Sequence, residues 1–208
     1  MIRIPATLLF FAFSATLLGQ NFKPVQNKVP FQNQLKEASQ KTNSVTSTFT
    51  QVKFLSFMEE EVHSSGQFFF TKPNKVRWEY LLPSKYYIII NGNKIITFMN
   101  GKVNEIDASK NKSFSEINKI MLGSINGDIA QHEDFESELF ETENVYRLNL
   151  KPKVNALKEV MTEIVIWFDK SNMSVSKIKM MEASGDHSLI TLENKKLNEA
   201  ISPSKFNP

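Results

Sequence analysis

From Ser64 to Phe98 apolar and polar side chains alternate with a period of two. Phe68, Phe70, Val76, Trp78, Tyr80 and Leu82 share one parity; Gln67, Thr71, Lys75, Arg77 and Glu79 share the other. A strand sends successive side chains to opposite faces, so this stretch is a sheet with one apolar and one wet face. Pro73-Asn74 breaks the run and predicts a turn between antiparallel strands. Asn91-Gly92, between the isoleucines 88–90 and the apolar run 95–98, predicts a hairpin. The result is a meander of about four strands with one face rich in large aromatic rings.

The same reading extends along the chain. Residues 20–30, with Pro24 and Pro30, predict an extended leader. Phe31, Leu35 and Ala38 fall at i, i+4 and i+7, so residues 31–44 predict an amphipathic helix, with Pro30 suited to its start. Strands are predicted at 47–57, 62–71, 75–82, 86–90, 94–99 and 102–107, with Asn100-Gly101 closing a second hairpin. At 113–123 the period changes. Phe114, Ile117, Ile120 and Met121 make a helical stripe, with Ser113 and Glu116 placed as a capping box and Gly123 at the end. Alternation returns at 135–141, 146–150, 160–168, 175–181 and 188–193, and residues 194–208 read as a tail.

About eleven antiparallel strands with two or three helices exclude a doubly wound fold. The expected fold class is mainly β (α+β), an antiparallel sheet curled around helices. The expected divisions are 1–19, a cleaved signal peptide; 20–30, the leader; 31–193, the domain; and 194–208, the tail. The signal reading rests on Arg3, an apolar run of about a dozen residues from Ala6, and a small-residue site ending at Gly19. Such a run is too short to span a bilayer about 30 Å thick as a helix.

Composition changes the picture in two places. The 208 residues include 17 Phe, which implies a very bulky core or a cavity lined with rings. There is no Cys, which excludes disulfides, thiol catalysis, Cys-ligated metals and a lipidated N-terminal Cys. The net charge of +3 is too small to argue for nucleic acid.

Candidate chemistry is sparse. His63, His132 and His187 stand in no metal-ligand spacing, no Ser stands in a nucleophile elbow, and there is no Gly-rich phosphate loop. Glu136 and Glu138 read as the solvated side of an edge strand. No catalytic residue, metal site or cofactor is therefore expected. The pattern alone fits a filled core and a ligand cavity equally well. Lys72 continues the parity of Phe68 and Phe70. A Lys turned towards an apolar interior must snorkel to the rim or be bonded, so Lys72 is expected at a cavity rim or on the carbonyls of a lid.

One ordered set of motifs adds a resemblance. Phe49-Thr50-Gln51, Ser65-Gly66, a Phe-x-x-Pro-Asn turn, Arg77-Trp78-Glu79-Tyr80, a following Pro, an Ile run and Asn91-Gly92 together resemble the LolA family, across roughly residues 31–192. Those proteins are periplasmic carriers of lipoproteins bound for the outer membrane. The resemblance implies an incomplete barrel with a helical lid over its concave face. It implies an acyl-chain cavity on Phe68, Phe70, Val76, Trp78, Tyr80, Ile88, Ile90 and Phe98, and a lid carrying Phe31, Leu35, Phe114, Ile117 and Met121. It implies partners: acylated lipoproteins, an inner-membrane ABC exporter and an outer-membrane acceptor, served by a monomer. Where the family has an Arg tying sheet to lid, this chain has Lys72, which lacks the five-donor planar fork. The alternatives are a half-barrel that binds lipid or senses lipoproteins without shuttling, and an exported lipid hydrolase.

Overall fold

The computed structural model describes residues 21–107, 123 and 127–208. The expected signal segment and the expected helix with Phe114, Ile117 and Met121 lie outside the described residues. Twelve strands form one sheet: β1 (Lys23–Pro24), β2 (Ser44–Leu55), β3 (Glu60–Thr71), β4 (Lys75–Leu82), β5 (Tyr86–Asn91), β6 (Lys94–Met99), β7 (Lys102–Asp107), β8 (Phe135–Glu141), β9 (Val145–Pro152), β10 (Met161–Asp169), β11 (Val175–Glu182) and β12 (His187–Leu197). Their order is β1-β8-β9-β10-β11-β12-β2-β3-β4-β5-β6-β7, and every neighbouring pair is antiparallel. The end strands β1 and β7 do not pair with each other, so the sheet is an incomplete barrel. The strand beyond the eleven expected is β1, two residues of the predicted leader that edge β8.

Turn chemistry explains the meander. Asn100 and Gly101 both have positive φ and join Met99 to Lys102 directly, as a two-residue turn of the mirror-image type requires. At the preceding hairpin Asn91 still pairs with Lys94, so the loop is Gly92-Asn93, one residue later than expected.

Helix α1 (Val29–Lys41) starts with Pro30 in its first turn and buries Phe31, Leu35 and Ser39. It lies on the sheet face bearing Leu139, Leu148, Leu150, Ile164, Ile166 and Phe168; this is the inner face. Phe31 meets Tyr146 and Phe168 edge-on at 5.0 and 5.5 Å. These residues form the larger of two inner-face clusters. The second lies on β2–β6, and half-buried Met180 of β11 packs against both.

Two stretches differ from the sequence reading. Residues 194–197 continue β12 rather than starting a tail, and residues beyond them fold back onto the outer face. There Phe206, 2% exposed, packs with Ile89 and Ile96, against half-buried Phe69, Tyr87 and Ile201. The face expected to be wet is thus partly roofed, and Arg77 is buried. Arg77 stacks over Tyr87 at 4.0 Å, bonds Glu79 at 3.1 Å and donates to the Lys205 carbonyl at 3.1 Å. Among the described residues no helix is long and apolar enough to cross a membrane.

Candidate ligand-binding face

The aromatic cluster is assembled by register. Phe68 lies opposite Trp78, which lies opposite Ile88; Phe70 lies opposite Val76, which lies opposite Ile90. Six apolar side chains from three strands therefore form two adjacent rows on the inner face. Phe70 and Val76 are fully buried, and Trp78 and Ile88 half-buried. Trp78 packs against Phe68 (centroids 4.6 Å apart) and edge-on against Phe49 (5.0 Å).

Gly66 makes room for the next row. It faces Tyr80 across a bulge and Phe49 on the other side. A Cβ there would lie 1.9 Å from the Glu79 carbonyl oxygen and 2.9 Å from the Phe49 ring. Tyr80 packs edge-on against Phe49 at 4.9 Å and stacks on Tyr86 at 4.1 Å. Its hydroxyl donates to Gln51 Oε1 at 2.8 Å. Burial, reinforced by neighbouring Tyr86, raises the Tyr80 phenol far above its usual range, so it stays a neutral donor. The rows thus grade from apolar to polar along the strands, towards Gln51, Ser188 and the Lys53–Glu182 pair (2.9 Å).

Seven of the eight residues expected to line a cavity come together here: Phe68, Phe70, Val76, Trp78, Tyr80, Ile88 and Ile90. Phe98 does not. It lies on the outer face, stacked on Tyr87 at 5.0 Å, because β6 places Ile95 inward and Ile96 and Phe98 outward. Three residues the sequence reading left out of the cavity, Phe49, Ile95 and Ile190, are buried in the cluster. Phe49 was hidden because its inner-face neighbours on β2 are Ser47 and Gln51, which blur the alternation.

The lid residues divide differently from expectation. Phe31 and Leu35 are buried, 1% and 2% exposed, but over β8–β10 rather than over the Phe68–Trp78 rows. Helix α1 reaches the β2–β3 side only at its C-terminal end. There Lys72 Nζ donates to the carbonyls of Ser39 (2.7 Å) and Gln40 (3.0 Å), and the Lys72 amide bonds the Asn43 carbonyl. The last carbonyls of a helix lack intrahelical partners and carry its negative dipole end, so an ammonium suits that position. Lys72 thus ties sheet to helix as a point charge.

The histidines stay apart. His63 lies 3.5 Å from Glu61, His132 lies 3.7 Å from Asp134, and His187 stacks on Phe54. Among the described residues no group of three or more His, Cys, Asp or Glu could hold a metal ion.

Solved structures share this architecture at low identity. A conserved protein of uncharacterised function from Thermus thermophilus aligns with a TM-score of 0.52 at 9% identity, covering 88% of this chain and 94% of that one. A LolA superfamily protein from Nitrosomonas europaea aligns at 0.44 and 14% identity, covering 83% and 96%. A chain of the Pseudomonas aeruginosa MucA/MucB complex structure aligns at 0.47 and 11% identity, covering 86% and 60%. No curated protein sequence matches the chain. Residues 40–208, running from the end of α1 through every later strand, match the family model described as outer membrane lipoprotein carrier protein LolA, and the chain belongs to that family.

Proposed function

We propose that this protein is a periplasmic carrier that shields the acyl chains of lipoproteins on the inner face of its half-barrel. The observation that carries the reading is the pair of rows Phe68–Trp78–Ile88 and Phe70–Val76–Ile90, flanked by Phe49 and Tyr80. Rings and branched chains gathered on one curved face suit a hydrocarbon ligand, and family membership supports the same assignment. The chemistry is sequestration, with no covalent step and no cofactor.

Energetics limit how such a carrier works. Burial of one methylene is worth about 0.8 kcal/mol, so a couple of dozen fully buried methylenes approach the affinity ceiling near −20 kcal/mol. A carrier that bound so tightly would never unload. Transfer therefore needs partial burial or a cover whose opening costs several kcal/mol. In this reading an inner-membrane ABC exporter loads the carrier and an outer-membrane acceptor empties it. Residues 1–19 direct export and are removed.

The test is mass spectrometry of protein purified natively from cells, with its N-terminus sequenced. Co-purifying acylated protein or lipid on a chain starting near Gln20 is the expected result. A lipid-free chain that also fails to bind any acyl probe would overturn the reading. Lipid turnover abolished by replacing a Ser or His would instead mark a hydrolase.

A further inference from the structure

The inner face continues past the aromatic rows into a groove beneath the C-terminal half of α1. Leu35 and Ala38 of α1 form its roof, and Val45, Val175, Leu192 and Lys195 line it from the sheet. Val45 and Leu192 also pack against the Phe68–Trp78 cluster, so groove and cluster share a wall. The groove encloses about 60 Å³. At roughly 10–15 Å³ per water-sized group, it takes about four to six such groups, a head group and its first carbons.

Lys195 is the cation of this apolar groove. Its Nζ donates to Ser174 Oγ at 2.6 Å and to the Val175 carbonyl at 3.2 Å, which engages two of the three donors an ammonium offers. Burial pulls its pKa below the usual value, against the opposing pull of Asp169. Asp169 itself accepts from the Ser171 amide and hydroxyl through Oδ1. A half-desolvated cation in a mostly apolar groove is the counterpart of an amphiphile with one anionic head.

We propose that this groove binds the carboxylate head of a single-chain fatty acid, with Lys195 as its charge partner and the chain running past Val45 and Leu192 onto the aromatic rows. The inference rests on the acyl-binding reading and adds a ligand class to it. Ser174 and Val175 hold the ammonium in place, and the remaining N–H meets the carboxylate. The ammonium and the carboxylate meet as opposite charges, whereas an alcohol head of the same chain offers the ammonium an uncharged acceptor.

The experiment titrates the full chain with dodecanoate and with dodecan-1-ol at about pH 8, where the acid is ionised. Wild type is expected to bind the acid about tenfold more tightly than the alcohol. Lys195→Met is expected to abolish that preference, and Lys195→Arg to keep it. Ala38→Phe, which fills the groove from α1, is expected to weaken the acid. Alcohol binding without any acid preference in wild type, or a preference that survives in Lys195→Met, would overturn the head-group site alone. Binding of neither amphiphile would overturn the acyl-binding reading with it. Should Lys195→Met fail to fold, equal affinities of Ala38→Phe and wild type for dodecanoate would be the overturning result.

Discussion

Gly66 shows how closely single residues control the inner face. It is buried between Phe49 and Tyr80, and any side chain would run into the Glu79 backbone. Gly66→Ala is therefore expected to destabilise the fold by at least about 2 kcal/mol, since backbone must shift to admit the methyl. Urea unfolding of both proteins measures this; an unchanged midpoint would refute the close approach. Lys72 acts by charge instead. Lys72→Met removes two bonds to the α1 carbonyls, and the expected loss is about 1–2 kcal/mol, at the lower end for charged hydrogen bonds because Lys72 is half-buried. Faster amide exchange in the last turn of α1 would accompany it.

At the scale of elements, the C-terminal segment behaves as part of the sheet. Asn198 Oδ1 accepts from the Asn43 amide, Asn198 Nδ2 donates to the Lys41 carbonyl, and Ser44 Oγ donates to the Glu199 carbonyl. Further on, Phe206 is buried on β5 and β6, and Lys205 bonds Glu79 while stacking over Phe69. Phe206→Ala is expected to cost about 3 kcal/mol, the lower end for a buried ring, because the segment can peel away instead of leaving a void. Thermal unfolding measures that cost, and proteolysis should then cut first after residue 197.

The same contacts set a pH dependence. Burial raises the Glu79 pKa, but the hydrogen bonds and charges of Arg77 and Lys205 outweigh it, and the net shift is below the ordinary 4.5. A depressed carboxylate pKa contributes stability that is complete above the unfolded value and lost as pH falls through the folded one. Below pH 4.5 the wild-type midpoint is therefore expected to fall more steeply than that of Glu79→Gln. Parallel curves for the two proteins would show that the cluster contributes nothing.

For the whole molecule the decisive variant is Trp78→Ala. A ring in a filled core costs about 3–5 kcal/mol on removal. Trp78 is half-buried against Phe49 and Phe68, so a smaller loss is expected, together with weaker binding of a fatty-acyl probe. Denaturant unfolding and probe titration on the same preparations separate the two effects. Trp167, on β10, is first replaced by Phe so that fluorescence reports Trp78 alone. A full core-sized stability loss, with no saturable binding by wild type, would return this face to ordinary core.

Alternation, turn residues and helical spacing are local properties, and they were legible. The strands at 75–82, 94–99, 102–107 and 135–141 follow from period two, and α1 from the spacing of Phe31 and Leu35 behind Pro30. The shared face of Phe68, Phe70, Val76, Trp78 and Tyr80 follows from parity within one meander. What depends on partners far along the chain was not legible. Phe98 carries as much apolar surface as Phe70, yet it pairs with outward-facing Tyr87 and so lies on the outer face. The 198–208 segment reads as polar and Pro-punctuated, and only the apolar side chains of Phe69, Ile89 and Ile96 on the outer face give Phe206 somewhere to bury. The sequence reading expects Lys72 at a cavity rim or on lid carbonyls and leaves Lys195 in the tail. Tertiary packing decides between the two for Lys72, which caps α1, and sets Lys195 in a groove beside Ser174 and Val175, because what an ammonium does depends on which carbonyls and how much water the fold leaves around it.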